Sequence, residues 1–116
     1  MSVLARVVEE RGEHLSIAAV EGEIDASNAS AVAERLRTLL TNRSSVLVVD
    51  LTATTYVDSA GLNLLFELAG ELDHRQQQLR LVVAPDSPIA RMAAIVGLDA
   101  AVPTHPTREA ALAAQR

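Results

Sequence analysis

Short hydrophobic segments separated by polar ones recur along the chain, and their periodicity predicts four strands. Along segment 15–20, side chains expected to face the core alternate with side chains expected to face away from it, as in a strand packed mainly on one face. Segments 46–51 and 79–84 read as buried strands, and the first is apolar on both faces until Asp50, which is typical of a central parallel strand. Polar residues 9–13 predict a turn, and residues 22–25 break the second strand. The predicted strands cover residues 3–8, 15–20, 46–51 and 79–84.

Helical segments follow the second, third and fourth strands, and a further one lies near the end of the sequence. The first begins at Ser27 or Asn28, either of which can cap it, and runs to about residue 41. The second runs from residue 62 to about residue 74. The third and the last are marked by residues typical of helix ends, namely Ser87, Pro88, Gly97 and Thr107.

Apolar stripes on these helices predict which of their residues face the core. The second helix is apolar over more of its surface than one core-facing stripe requires. The first helix has its stripe at Ala29, Val32, Leu36, Leu39 and Leu40. The third has its stripe at Ile89, Met92, Ile95 and Val96.

The order of elements is β-β-α-β-α-β-α, followed by a short edge strand at residues 101–102 and a final helix. Strands that alternate with helices predict an α/β fold with a mixed, mostly parallel sheet, to which the opening hairpin adds an antiparallel pair. The pattern predicts four to five strands and about four helices, and it leaves open which face each helix covers. With 116 residues and no linker or repeat, residues 1–116 form a single predicted domain.

Composition narrows the classes of function. A net charge of −5 and an aromatic content of 2% argue against a nucleic-acid partner. The chain has no cysteine, and its histidines His14, His74 and His105 are scattered, so we expect no metal and no cofactor. No signal sequence or membrane-spanning run is evident, which predicts a soluble cytoplasmic protein without membrane contact.

A serine stands where a buried strand and a polar segment give way to an apolar helix. Ser59 lies in the sequence Asp58-Ser59-Ala60-Gly61-Leu62, eleven residues after Val48 in the third strand. Backbone N–H groups at a helix start are unpaired and can receive an anion. This strand-to-helix junction at residues 58–62, the Ser59 corner, is therefore a suitable place for a hydroxyl that acquires a phosphate.

Three segments together make the chain resemble a STAS domain, most of all the stand-alone bacterial anti-sigma factor antagonists. They are Gly22-Glu23-Ile24-Asp25, Val48-Val49-Asp50-Leu51 and Asp58-Ser59-Ala60-Gly61-Leu62. The similarity extends over essentially the whole chain and implies a STAS-like fold.

The resemblance implies a partner-switching mechanism. In that family the unphosphorylated antagonist binds an anti-sigma factor that is also a serine kinase, and so releases a sigma factor. The kinase then phosphorylates the serine that corresponds to Ser59, and a serine phosphatase resets it. The second Ser or Thr usual in the motif is Ala60 here, which removes an alternative acceptor. The oligomeric state stays open between a monomer and a weak dimer.

Roles for individual residues follow from this resemblance and from the residues themselves. Asp58 is either a helix cap or a group that orients the Ser59 hydroxyl or contacts the kinase, and Gly61 allows close backbone approach. Asp50 is expected to be a structural hydrogen-bonding residue. We hypothesise that Leu62 and Asn63 form part of an exposed docking patch. The full predicted partner-binding set is Asp25, Ser27, Asn28, Asp58, Ser59, Ala60, Gly61, Leu62 and Asn63.

Two other functions remain to be weighed. The same fold could serve as a non-switching scaffold subunit of a lipid-transport or stressosome-like complex, but the intact Ser59 favours the switch. A serine hydrolase needs Gly-x-Ser-x-Gly, and Val57 occupies the first glycine position. We therefore expect that the protein is not an enzyme.

Overall fold

The computed structural model describes residues 6–11, 15–39 and 45–114. Within these ranges the chain forms six strands and five helices. In chain order they are β1 (Arg6–Arg11), β2 (Leu15–Ile24), α1 (Ala29–Thr38), β3 (Val46–Asp50), β4 (Thr54–Val57), α2 (Ser59–His74), β5 (Gln78–Val82), α3 (Pro88–Val96), α4 (Leu98–Ala101), β6 (Thr104–His105) and α5 (Arg108–Ala113).

The strands form one sheet in the order β1-β2-β3-β5-β6, and β4 pairs with the end of β2. β1 is antiparallel to β2, whereas every other pair is parallel. This arrangement confirms the predicted α/β class and the mixed, mostly parallel sheet, with one strand more than expected. Because β2 and β4 are parallel and precede α1 and α2, the starts of these helices lie at the same edge.

The two faces of the sheet differ in how they are covered. The main core contains Leu47 and Val49 of β3 together with buried residues of α1, α2, α3 and α4. The alternate residues Val46 and Val48 face a smaller cluster that includes Ala111 of α5. Four helices therefore cover one face, and α5 lies on the opposite one.

Polar contacts help to hold α5 against the sheet. The Asp50 carboxylate, which is almost fully buried, accepts a hydrogen bond from Arg108 Nε at 2.6 Å and another from Thr52 N at 2.9 Å. Burial raises the pKa of Asp50, but the bonds from Arg108 and Thr52 outweigh it and leave that pKa below its usual value. Buried Arg80 donates to the Ala111 carbonyl oxygen at 2.8 Å. The predicted structural role of Asp50 is confirmed.

The first two strands end later than their sequence patterns predicted, and residues 3–5 of the first predicted strand lie outside the described part. β1 extends to Arg11, so residues 9–11 are not a turn; residues 12–14 lie outside the described part. β2 continues to Ile24 because β4 pairs with its end, with a register shift between Gly22 and Glu23. Gly22 has φ of 101°, which a residue with a side chain rarely adopts. The prediction missed β4, since its threonines lack a clear apolar alternation.

The helices also differ from prediction at particular points. α1 ends at Thr38, and predicted stripe residue Leu40 lies outside the described residues. α2 begins at Ser59, three residues before the predicted start. The caps at the third and last helices are confirmed, since Ser87 accepts from Ala90 N and Thr107 from Ala110 N, each at 3.1 Å, and Gly97 adopts the left-handed conformation.

Two apolar stripe positions of α3 are exposed instead of buried. Ile95 is 83% exposed and Val96 46% exposed, whereas Ile89 and Ala93 are buried. β6, the strand on this side of the sheet, has two residues and offers little surface to the last turn of α3. The predicted short edge strand is present as β6, but at residues 104–105; at residues 101–102 the chain ends α4 instead. Within the described ranges, no helix combines the length and hydropathy needed to cross a bilayer.

Candidate functional site

The predicted serine corner is the start of α2. Ser59 is the first helical residue, and it is exposed. The preceding Asp58 has extended backbone angles and occupies the N-cap, where its Oδ1 accepts a hydrogen bond from Gly61 N at 3.1 Å. The cap role of Asp58 is therefore confirmed, and the Ser59 hydroxyl stands at an anion-favourable helix terminus.

Gly61 allows this helix start to approach the sheet closely. A Cβ atom at position 61 would lie 2.7 Å from Val57 Cγ1 and 3.0 Å from Ile24 Cγ2. Both distances are too short for ordinary carbon contacts, so a side chain would push α2 away from β2 and β4. This confirms that Gly61 is a backbone requirement.

The loop between β2 and α1 lies directly beside the start of α2. Asp58 Oδ2 accepts a hydrogen bond from Ala26 N at 3.1 Å, which joins two segments 32 positions apart. Inside the loop, the buried Asn28 side chain accepts from Asp25 N at 2.9 Å and donates to the Glu23 carbonyl at 2.7 Å. These bonds fix the loop that carries Asp25 against the corner that carries Ser59.

Asp25 provides a charged group in this loop. Its Oδ1 accepts hydrogen bonds from the hydroxyl and the backbone N–H of Ser27. These two bonds, that from the hydroxyl first, lower the pKa of Asp25 from its ordinary value, so the group is ionised at neutral pH. The site thus combines a fixed negative charge with a nearby exposed hydroxyl.

Comparison with known proteins fits this geometry. The family model for the STAS domain matches residues 5–111. The chain belongs to the STAS domain family. The two segments of this chain on which the sequence resemblance mainly depended, Gly22-Glu23-Ile24-Asp25 and Asp58-Ser59-Ala60-Gly61-Leu62, lie side by side in the structure.

Among individual relatives, the STAS domain is 35% identical over 98 residues to an anti-sigma-B factor antagonist of Listeria monocytogenes, covering 84% of each chain. It is also similar to the crystal structure of an anti-sigma factor antagonist from Mycobacterium paratuberculosis, with 27% identity, a TM-score of 0.78, and 93% and 91% of the two chains covered. The phosphorylated form of the Bacillus cell fate determinant SpoIIAA shares the fold, with 18% identity, a TM-score of 0.66, and 92% and 96% coverage.

The predicted partner-binding residues of this STAS domain divide into a surface set and a buried set. Ser27, Ser59 and Asn63 are exposed, and Asp25, Asp58 and Ala60 are partly exposed. Asn28, Gly61 and Leu62 are buried, so they shape the corner from inside. The expectation that Leu62 lies on an exposed patch is wrong, because its side chain points into the main core and is 6% exposed.

Tyr56 is a surface residue that the sequence prediction missed. It is 50% exposed, lies in β4 three residues before Ser59, and pairs in register with exposed Glu23 of β2. Neighbouring residues of parallel strands point to the same face of the sheet, so the two side chains are neighbours on one surface. The signal available in the sequence was a lone tyrosine beside the serine motif, in a chain with 2% aromatic residues.

A groove between α1 and α2 opens beside the corner. It has a volume of about 670 Å³, with small side chains such as Ala29, Ala33 and Ala60 along it and Glu34 and Glu67 among its lining residues. At its side, Arg37 donates two hydrogen bonds of 2.8 Å to the Glu71 carboxylate. This exposed pair raises the pKa of Arg37 and lowers that of Glu71, and such pairs add little stability. The groove extends the surface around Ser59.

The described histidines of the STAS domain lie away from Ser59. His74 ends α2, about 22 Å along the helix from Ser59 at about 1.5 Å per residue. His105 lies on β6, which β3 and β5 separate from β2 by about 14 Å in all at about 4.8 Å per strand. The length of α2 therefore keeps His74 out of hydrogen-bond reach of the Ser59 hydroxyl. The exposed Ser59 hydroxyl is chemically able to accept a phosphoryl group, and the ionised Asp25 provides a negative charge in the neighbouring loop.

Proposed function

We propose that this STAS domain is an anti-sigma factor antagonist. In its unphosphorylated form it binds an anti-sigma factor that is also a serine kinase, and phosphorylation of Ser59 ends that binding. A serine phosphatase removes the phosphate and restores the binding form. The single observation that carries the proposal is the exposed Ser59 at the start of α2, held beside the ionised Asp25 loop.

The placement of other hydroxyls supports Ser59 as the acceptor. Thr54 is buried and donates its hydroxyl hydrogen to the Val20 carbonyl at 2.6 Å. Thr55 donates to the Gly22 carbonyl at 3.2 Å, and Ser27 donates to Asp25. Ala60 leaves Ser59 as the one hydroxyl within its own motif. These contacts favour Ser59 over Thr54, Thr55 and Ser27 as the acceptor.

Electrostatics accounts for the loss of binding. A phosphate adds about −1.5 to −2 charges and would lie near Asp58 and the Asp25 loop. A partner surface that buries the neutral hydroxyl would have to desolvate this charge, at a cost of several kcal/mol. A loss of about 2.7 kcal/mol already weakens binding about a hundredfold. The positive end of the α2 dipole favours the phosphate, so the fold can persist.

The partner surface comprises the exposed residues around this corner. We assign to it Asp25, Ser27, Ser59 and Asn63, and we add Tyr56 because exposed tyrosines often dominate protein interfaces. Sigma factors and their regulators act on transcription, so we expect the switch to operate in the cytoplasm. No catalytic step is assigned to the STAS domain itself.

Phosphate mapping tests the acceptor assignment. Wild type and Ser59→Ala are incubated with ATP and candidate anti-sigma serine kinases, and the phosphorylated position is identified by mass spectrometry. We expect one phosphate on Ser59 and none in Ser59→Ala, with Thr55→Ala labelled like wild type. Equal labelling of wild type and Ser59→Ala, or no labelling by any such kinase, would contradict the proposal.

A further inference from the structure

The Asp58 carboxylate connects two segments that are distant in sequence. Its Oδ1 accepts from Gly61 N in α2, and its Oδ2 accepts from Ala26 N in the β2–α1 loop, each at 3.1 Å. The Asp58 backbone N–H also donates to the Ile24 carbonyl at 3.1 Å, which places the residue beside the end of β2. One side chain thus contacts both segments that carry the proposed partner surface.

We propose that Asp58 is a positioning residue, which fixes the Asp25 loop relative to Ser59 so that the anti-sigma factor meets one preformed surface. This inference rests on the proposed function and adds a role for a residue that the proposed function leaves outside the partner surface. Each of its two oxygens accepts a hydrogen bond from a backbone N–H group in a different segment, and this is the geometry that the positioning role requires.

A helix cap alone does not need this arrangement. α3 and α5 are capped by the hydroxyls of Ser87 and Thr107, each through one hydrogen bond of 3.1 Å. A carboxylate has a second acceptor oxygen, and in Asp58 that oxygen is directed to another segment of the chain. The extra bond therefore serves the relative position of the loop and the helix, beyond the capping of α2.

Asn28 and Asp58 hold the β2–α1 loop in two different ways, which supports the same conclusion. Asn28 bonds to Asp25 N and the Glu23 carbonyl, so it determines the conformation of the loop internally. Asp58 bonds from outside and thereby places the loop against α2. Fixing the loop before association reduces the ordering cost of binding, so it raises affinity without adding a contact.

The variant Asp58→Asn separates these functions. Asparagine is as good an N-cap as aspartate, but it puts an NH2 donor in place of one of the two carboxylate oxygens. Because Gly61 N and Ala26 N bond to different oxygens, only one of these bonds can be kept. Ala26 is exposed, so water can satisfy its freed N–H and the fold is retained. The matched control is Ser87→Ala, which removes a helix cap from α3 and leaves the Asp58 bonds intact.

Three readouts are predicted for Asp58→Asn. Affinity for the anti-sigma factor falls about tenfold, as expected from loss of one charge-assisted bond. The KM for phosphorylation by the kinase rises by a similar factor, while kcat stays within about twofold. Hydrogen exchange at the Ala26 amide accelerates about tenfold. Ser87→Ala lowers Tm but leaves affinity, KM and Ala26 exchange as in wild type.

The outcomes distinguish this inference from the proposed function. If Ala26 exchange is unchanged, or if it accelerates while affinity stays at the wild-type value, Asp58 does not position the surface, and Ser59 switching can still hold. A fall in kcat at constant KM would also overturn the inference, because it indicates a direct role in phosphoryl transfer. Failure of wild type to bind any anti-sigma kinase removes the proposed function and, with it, the binding role of Asp58.

Discussion

Two aspartates hold distant parts of this STAS domain together. One contacts α5 and the other contacts the start of α2, and the two lie in different environments. Asp50 is buried and pairs with the guanidinium of Arg108, which fastens α5 to the sheet. Asp58 is partly exposed and pairs with backbone N–H groups of Gly61 and Ala26. The buried pair affects the stability of the whole fold, whereas the exposed one arranges a surface. An aspartate at or just after the end of a strand thus stabilises the fold in one place and positions a binding surface in the other.

The largest expected difference between the two regions is in global stability. Asp50→Asn removes the charge that Arg108 pairs with, and we expect the free energy of unfolding to fall by about 2 kcal/mol in urea denaturation. Affinity for the anti-sigma factor should stay within about twofold of wild type, because α5 lies away from the Ser59 corner. A destabilised variant with lost affinity would show that the two regions are coupled.

The same variant should change the pH dependence of stability. The folded-state pKa of Asp50 lies below its unfolded value, so its contribution to stability is present above the unfolded pKa and is lost as pH falls through the folded pKa. We therefore expect the free energy of unfolding of wild type to decline on acidification below about pH 4 more steeply than that of Asp50→Asn. Parallel pH profiles from urea denaturation would contradict this role of the Asp50 charge.

A smaller effect is expected at the surface beside Ser59. Tyr56→Ala should weaken binding of the anti-sigma factor about tenfold while changing the free energy of unfolding by less than about 1 kcal/mol, because Tyr56 is half exposed in the free protein. Tyr56→Phe keeps the ring and serves as the control, with near wild-type affinity by titration calorimetry. Unchanged affinity of Tyr56→Ala would exclude this part of β4 from the partner surface.

Local signals explain which elements could be predicted from sequence. Ser87, Gly97 and Thr107 act within their own helix ends, so their caps were evident without knowledge of the fold. The continuous apolar run of β3 likewise predicted a central strand. These features depend on the residue and its immediate neighbours, which the sequence displays directly.

Features that depend on distant segments could not be predicted. β4 is a strand because the end of β2 lies beside it, and its threonines carry no strong strand pattern. The Asp58–Ala26 bond joins positions 32 residues apart. Ile95 was expected in the core because helical periodicity does not show where a sheet ends. For the corner itself, the strand-to-helix pattern and the family resemblance predicted roles for Ser59 and Asp25, while the burial of Leu62 and the exposure of Tyr56 required the three-dimensional arrangement.

The most direct test of the central claim compares one protein with and without phosphate on Ser59. The STAS domain is phosphorylated by its anti-sigma kinase, purified, and titrated against that kinase with ADP bound, beside the unmodified protein and Ser59→Ala. We predict that Ser59→Ala binds like the unmodified protein and that the phosphorylated form binds at least a hundredfold more weakly, a loss of about 2.7 kcal/mol. Equal affinity of the phosphorylated and unmodified forms would contradict the switch.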